Sequence, residues 1–219
     1  NLRDPNGPQI TFAAESFIDE LAAAAKADPE NEDLLTALAN LYAGNRVRPD
    51  IEQLYLDVLK KNPDSLLAKK QLANLYLSKN DFARATPYVD EILKARPADI
   101  HGILFRGRIE LAKGDFTKAM EDLSTLTRSA PRFAGGYYFL GQAQLRSNRM
   151  AEAKQSFAKA TELNPNWIFP RIELAKLHLG RNDLELALDE AQKNSETNKV
   201  AEVIHLSDTP VAAVADGMG

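Results

Sequence analysis

Apolar and polar residues alternate along residues 134–165 with the spacing of two short amphipathic helices joined by a tight polar turn. Small residues occupy the positions where two such helices would cross, at Gly141, Ala153 and Ala160. Larger side chains are placed to fill the space around the crossing, at Tyr137, Leu140 and Phe157. Because helices approach to about 8–10 Å only where the contact residues are small, the pattern predicts a packed helical hairpin.

This unit recurs along the chain, and prolines mark its period. Successive members of one set of prolines are 34 residues apart: Pro29, Pro63, Pro97, Pro131 and Pro165. The tenth residue after each proline is small: Ala39, Ala73, Gly107, Gly141 and Ala175. A helix–turn–helix unit with this period resembles the tetratricopeptide repeat family, and the resemblance covers about residues 11–194.

The resemblance implies an all-α fold, a right-handed superhelical solenoid of helix–turn–helix repeats. Residues 1–10 are predicted to be a linker, residues 11–29 a leading helix of a partial repeat, and residues 30–194 an array of about five repeats. Residues 195–219 form a C-terminal tail that leaves the pattern, and we expect it to dock on the last repeat or on a neighbouring molecule. The chain begins at Asn1, and its first helix lacks a partner, which favours a processed chain or a piece of a longer one.

Turns and prolines predict where individual helices begin. Aspartates close three turns just before second helices and are expected to cap them: Asp81, Asp115 and Asp183. Pro49 suits the first position of a helix. Pro87 lies inside a predicted helix, where it should kink the helix or delay its start. Pro170 should set the start of the last first helix near residue 169.

Composition and candidate chemistry argue against an enzyme. The net charge of −4 gives no overall attraction to nucleic acid, and no apolar run is long enough for a transmembrane helix. The chain has no cysteine, and its three histidines, His101, His178 and His205, lack a second histidine at ligand spacing. We therefore expect no catalytic residue, no metal site and no cofactor. His178 is expected to pack between helices.

Family geometry predicts which side chains line the concave groove, namely those on the first helix of each repeat. The candidates for peptide binding are Asn40, Lys70, Asn74, Leu104, Arg108, Tyr138, Gln142, Arg146, Phe169, Ile172 and Lys176. They combine amides, cations and apolar groups that are expected to be exposed. This mixture in an otherwise acidic protein indicates an acidic or amphipathic peptide segment as the partner.

A sharper assignment within the family is rejected. In its chaperone-binding members, lysine, asparagine and arginine clamp a C-terminal carboxylate. Lys70 and Asn74 match the first two places. Phe105, Gly135 and Phe139 stand where asparagine, lysine and arginine are needed. The sequence therefore does not indicate a heat-shock chaperone cofactor.

The resemblance implies a non-catalytic scaffold that binds a protein or peptide segment in its groove. One alternative is a self-assembling homo-oligomer that associates through repeat ends or the tail. A further alternative is the docking domain of a longer protein. Several bacterial members of the family serve the assembly of envelope polymers, secretion or pili. The alanine-rich composition favours a bacterial protein of the cytoplasm, periplasm or envelope.

Overall fold

The computed structural model describes residues 20–25, 27–28, 31, 33–35, 37–38, 51–180 and 183–192. Within these ranges the chain consists of α-helices and short turns, without a strand. The predicted linker 1–10, most of the leading helix, Pro49 and the tail 195–219 lie outside the described residues. The chain forms two compact units, Asn1–Ala112 and Lys113–Gly219, and each is described by itself.

Nine helices of at least nine residues fall in the described ranges 51–180 and 183–192. The first unit contains α1 (Ile51–Lys61), α2 (Leu66–Ser78), α3 (Phe82–Ala95) and α4 (Ile100–Lys113), whose last residue belongs to the second unit. The second contains α5 (Phe116–Ser129), α6 (Ala134–Arg146), α7 (Met150–Leu163), α8 (Ile168–Leu179) and α9 (Leu184–Gln192). Residues 20–25, 33–35 and 37–38 are also helical.

The helix starts repeat with the period of the prolines. First helices begin at Leu66, Ile100, Ala134 and Ile168, so successive starts are 34 residues apart. Second helices begin at Phe82, Phe116, Met150 and Leu184, with the same separation. This confirms the predicted all-α fold of helix–turn–helix repeats.

The two interior prolines affect the helices differently from one another. Of the two outcomes expected for Pro87, a kink or a delayed start, the delayed start is wrong, because α3 begins at Phe82 in register and contains Pro87 in its interior. The Thr86 hydroxyl donates a hydrogen bond to the Phe82 carbonyl at 2.7 Å just before the proline. The start expected near residue 169 is close to the observed one, since α8 begins at Ile168.

In three of the described repeats, the turn between the two helices contains one residue in the left-handed conformation. Asn80, Gly114 and Asn148 have φ angles of 57°, 80° and 60°, and they occupy equivalent repeat positions. Glycine adopts this region without a steric penalty, and asparagine tolerates it better than most residues. Aspartate caps follow these turns, and they are confirmed at two of the three predicted positions. The Asp81 carboxylate accepts from the Arg84 amide at 3.1 Å, and Asp115 accepts from the Lys118 amide at 3.2 Å.

Close approach of α6 and α7 depends on a missing side chain. A Cβ at Gly141 would lie 2.7 Å from Cε1 of Phe157, a ring that is fully buried. Ala153 and Ala160 on α7 are also fully buried. Phe157 packs with Ala153 and with Leu174 of α8, so the same core joins three helices. The small residues thus lie at the crossing, as the sequence pattern predicted.

A polar network ties the first three helices together in the first unit. Glu52 of α1 accepts hydrogen bonds from the Tyr76 hydroxyl at 3.0 Å, from Lys79 at 2.9 Å and from Arg84 at 2.8 Å. The Arg84 guanidinium also lies 4.5 Å from the centroid of the Tyr76 ring, a cation–π contact. One carboxylate therefore joins α1 to the end of α2 and the start of α3.

Replacement of Gly141 by alanine should destabilise the second unit. The added methyl group meets the Phe157 ring at a distance that requires the ring or the helices to move. We expect a loss of about 1–3 kcal/mol in the free energy of unfolding, measured by urea denaturation followed by circular dichroism. The control is Gly180→Ala, whose Cβ would meet its nearest atom, the Lys176 carbonyl oxygen, at 3.5 Å. Equal stability of the two variants would contradict the close crossing.

The Glu52 network predicts a specific loss of stability in acid. The hydrogen bond from Lys79 is the main cause that lowers the pKa of Glu52; burial opposes it, and the Tyr76 hydroxyl adds to it. Since the pKa is depressed in the folded state, the stabilisation is present at neutral pH and is lost as the pH falls through that pKa. Glu52→Gln should therefore lose less stability than the wild type between about pH 6 and pH 3. Urea unfolding at several pH values measures this pH dependence of the free energy of unfolding. The control is Glu121→Gln, because Glu121 is exposed. The prediction would be refuted if the stability of Glu52→Gln depended on pH in the same way as that of the wild type.

Candidate functional site

The predicted binding residues lie on first helices of both units. Lys70 and Asn74 are on α2, and Leu104 and Arg108 are on α4. The second unit carries the others on α6 and α8: Tyr138, Gln142, Arg146, Phe169, Ile172 and Lys176. Asn40 lies outside the described residues.

Lys70 is engaged in holding two helices of the first unit together. Its ammonium forms an ion pair with the Asp99 carboxylate at 2.5 Å, and the Asp99 side chain is only 8% exposed. The same carboxylate accepts from the amides of His101 at 3.1 Å and Gly102 at 3.0 Å at the start of α4. Burial raises the pKa of Asp99, but the hydrogen bonds from Lys70 and from these amides together bring it below its ordinary value. The charge of Lys70 is therefore compensated within the unit.

The role of Asp99 was not predicted from the sequence, although its position directly before a helix start indicates an N-cap. Asp99 follows Pro97 and directly precedes the first helical residue, Ile100. An aspartate at that position is typical of an N-cap, whose oxygen accepts from the first-turn amides. What the sequence does not give is that Lys70, on the preceding first helix, reaches the same carboxylate.

Asn74 and Arg108 meet, whereas Leu104 is not available at the surface. The Arg108 guanidinium donates to the Asn74 side-chain carbonyl at 3.5 Å, a long hydrogen bond between equivalent positions of consecutive repeats. The expectation that Leu104 is exposed is wrong, since it is 7% exposed. The reason is that α4 is buried on more than one side, with Ile103, Leu104 and Phe105 all buried in succession. Asn74 is exposed and Arg108 half-buried, so the first unit offers polar groups here.

Tyr138 of α6 is half-buried rather than exposed, because aromatic rings surround it. Its centroid lies 4.8 Å from that of Trp167, 5.0 Å from Phe139 and 5.9 Å from Phe157. Its hydroxyl accepts a hydrogen bond from the Gln142 side-chain amide at 3.3 Å. The structure thus brings Tyr138 and Gln142 together on α6, next to the N-terminal end of α8, which Trp167 precedes.

The predicted residues of α8 share one face of that helix with Leu179, and we call these four the α8 surface: Phe169, Ile172, Lys176 and Leu179. Phe169 is 53% exposed and Leu179 is 40% exposed, while Ile172 is half-buried. Lys176 is exposed and pairs with Glu173 at 3.2 Å, one turn away on the same helix. Apolar and cationic side chains therefore stand side by side on the second unit.

Arg146 is the second cation, after Lys176, among the predicted binding residues of this unit. It is the last residue of α6, its side chain is exposed, and it makes no ion pair with the residues that the structure describes. An exposed guanidinium offers five donors that suit a carboxylate. The second unit therefore offers an exposed carboxylate-binding group in addition to the apolar side chains of the α8 surface.

The described part of the chain holds no cluster of metal-ligating side chains. No three His, Asp or Glu side chains in that part are placed to hold a metal ion. His178 is buried, as expected for a packing residue, with its Nδ1 3.8 Å from an Asp183 carboxylate oxygen. Among the described helices, none combines the length and the apolar character that a membrane span requires.

The ion pair of Lys70 predicts a loss of stability on its removal. Lys70→Gln should lower the free energy of unfolding by about 1 kcal/mol, because the low exposure of Asp99 limits screening of the pair by water. The matched control is Lys176→Gln, whose ammonium is largely exposed and pairs within its own helix, with an expected change below about 0.5 kcal/mol. Urea unfolding measures both, and equal losses would show that Lys70 has no special structural role.

Comparisons with known proteins agree with this fold. Residues 106–166 match the tetratricopeptide repeat family model. Among solved structures, a tetratricopeptide repeat protein from Parabacteroides merdae ATCC 43184 has a TM-score of 0.69 at 18% identity, covering 90% of this chain and 77% of that chain. PilW, a widely conserved type IV pilus biogenesis factor, has a TM-score of 0.68 at 18% identity, with coverages of 90% and 93%.

A thermophilic tetratricopeptide repeat protein from Thermus thermophilus has a TM-score of 0.63 at 20% identity, covering 83% of this chain and 100% of that chain. At these identities the likeness establishes the fold. A search of curated proteins gave no match.

Proposed function

We propose that this chain, part of which matches the tetratricopeptide repeat family model, is a non-catalytic scaffold that binds an acidic, amphipathic peptide segment on the first helices of its repeats. Concave surfaces of helical repeat arrays are their usual binding faces. In the second unit the binding residues are the α8 surface with Tyr138, Gln142 and Arg146.

The observation that carries this proposal is the exposure of Phe169 on the helix that also carries Lys176. A phenylalanine that is more than half exposed on a folded helix leaves apolar area in water, which a ligand side chain would remove. Half-buried Ile172 and exposed Leu179 extend that area along α8. The apolar side chains of an amphipathic peptide fit this row.

The cations select the charge of the peptide. Lys176 pairs with Glu173 in an exposed one-turn ion pair, which contributes little and is readily exchanged for a ligand carboxylate. Arg146 adds a guanidinium, and Gln142 with the Tyr138 hydroxyl adds polar groups for a peptide backbone. An acidic peptide therefore suits this surface better than a basic one.

In the first unit, Asn74 and Arg108 are proposed to make polar contacts with a bound peptide. Lys70 and Leu104 have no part in this proposal. Lys70 is paired with the buried Asp99 carboxylate, and Leu104 is buried. A charge reversal at Lys70 would destabilise the fold and would not report on binding.

The test uses two fluorescein-labelled amphipathic 14-residue peptides of identical leucine pattern, one with glutamate and one with lysine at every polar position. We expect the Leu/Glu peptide to bind the full chain in fluorescence anisotropy, and Phe169→Ala with Arg146→Glu to weaken it at least about tenfold. The double variant should keep the wild-type helicity, since both side chains are exposed.

The control variant is Arg132→Glu, which reverses an exposed charge in the turn that precedes α6. It has the same effect on net charge as Arg146→Glu and should leave the affinity close to the wild-type value. An unchanged affinity in the Phe169/Arg146 double variant would refute the proposed surface. An equal loss in Arg132→Glu would show that only the overall charge matters.

A further inference from the structure

Exposed leucines concentrate on α9, outside the surface described above. Leu184, Leu186 and Leu188 are 53%, 48% and 58% exposed, although each is a large apolar residue within one helix. Ala187 is buried, and α9 packs against α8. A small residue of α9 is therefore buried, while the three leucines of this helix are exposed to solvent.

Carboxylates share this face with the leucines. Leu184 and Leu188 are four residues apart and lie one above the other on the helix surface. Glu185 and Asp189 form the adjacent row by the same spacing. Leu186 is exposed on the opposite side of the helix from Leu184, because two residues turn an α-helix by about 200°. We call Leu184, Glu185, Leu188 and Asp189 the α9 leucine face, in which an apolar row lies beside an acidic row.

A depression at the start of α9 has the same mixed character. Asp183, Leu184, Glu185 and Leu186 line it. The side chains of Asp183 and Glu185 are exposed, so their charges remain accessible to a ligand. Lysine and arginine have apolar stems and cationic ends, and such side chains match a pocket built from leucine and carboxylate.

Charge complementarity selects the occupant of this face. A second copy would bring carboxylates of its own α9 against those of the first, and like charges in contact are unfavourable. Residues 193–219 carry four carboxylates against two lysines, so the C-terminal segment is also a poor electrostatic match. We infer that the α9 leucine face binds a basic amphipathic helix of a partner protein, whose apolar residues cover the leucines and whose lysines or arginines pair with Glu185 and Asp189.

The two labelled peptides of the preceding experiment also test this inference, with the lysine peptide as the probe. We expect Leu184→Gln with Leu188→Gln to weaken binding of the Leu/Lys peptide to the full chain at least about tenfold. Glu185→Lys with Asp189→Lys should reverse the preference, so that this site accepts the Leu/Glu peptide. Met150→Gln, which removes an exposed apolar side chain of α7, is the control and should leave the affinity unchanged.

Equal affinity of the Leu/Lys peptide for the wild type and the Leu184/Leu188 double variant would overturn the inference. Because the Leu184/Leu188 double variant leaves Phe169 and Arg146 unaltered, binding of the Leu/Glu peptide to that variant reports separately on the α8 surface. The two proposals can therefore fail independently of each other.

A second measurement tests whether the leucine face is already occupied. Since the chain has no cysteine, Leu188→Cys and Met150→Cys each introduce a single thiol into the full chain. We expect the two thiols to react with a maleimide dye at similar rates at every protein concentration. Protection of Leu188→Cys at all concentrations would assign the face to the C-terminal segment of the chain. Protection that increases with concentration would assign it to a second copy, and either result would overturn the inference.

Discussion

Contact between helices at positions without large side chains is the constraint on which this repeat architecture depends. At the α6–α7 crossing, Gly141 faces the Phe157 ring at a distance that leaves no room for a methyl group. Phe157 in turn packs against Leu174 of the next helix. Phe157 therefore takes part both in the contact between the two helices of the hairpin and in the contact of the hairpin with α8. The 34-residue spacing of helix starts keeps equivalent residues at equivalent crossings.

Periodicity made much of the fold predictable from the sequence. The prolines and small residues indicated the helix starts, and aspartates indicated the caps at Asp81 and Asp115. Pro87 was harder to interpret, because a proline inside a helical pattern is compatible with a kinked helix or with a late start, and α3 begins in register at Phe82. Local rules describe the chain best where packing requires the same conformation, and tertiary contacts decide where the two conflict.

The candidate site was less predictable, because exposure depends on contacts that periodicity does not specify. The pattern placed Lys70 and Leu104 on a binding face, yet an ion pair occupies the lysine and packing buries the leucine. Phe169 was also predicted to lie on the binding face, and it remains exposed. The α9 leucines had the opposite outcome, since apolar residues on a helix are ordinarily assigned to a core. Sequence spacing identifies the face of a helix, while its neighbours determine which side chains remain accessible.

The equal spacing of the helix starts also bears on how such a chain can change over evolutionary time. Leu66, Ile100, Ala134 and Ile168 begin equivalent helices, and each hairpin ends where the next begins. A gene duplication or deletion of 34 codons would therefore add or remove one whole hairpin and leave the remaining crossings in register. Insertions of other lengths within a helix would displace every small residue that follows in that helix. The architecture thus tolerates changes in repeat number far better than changes in repeat length.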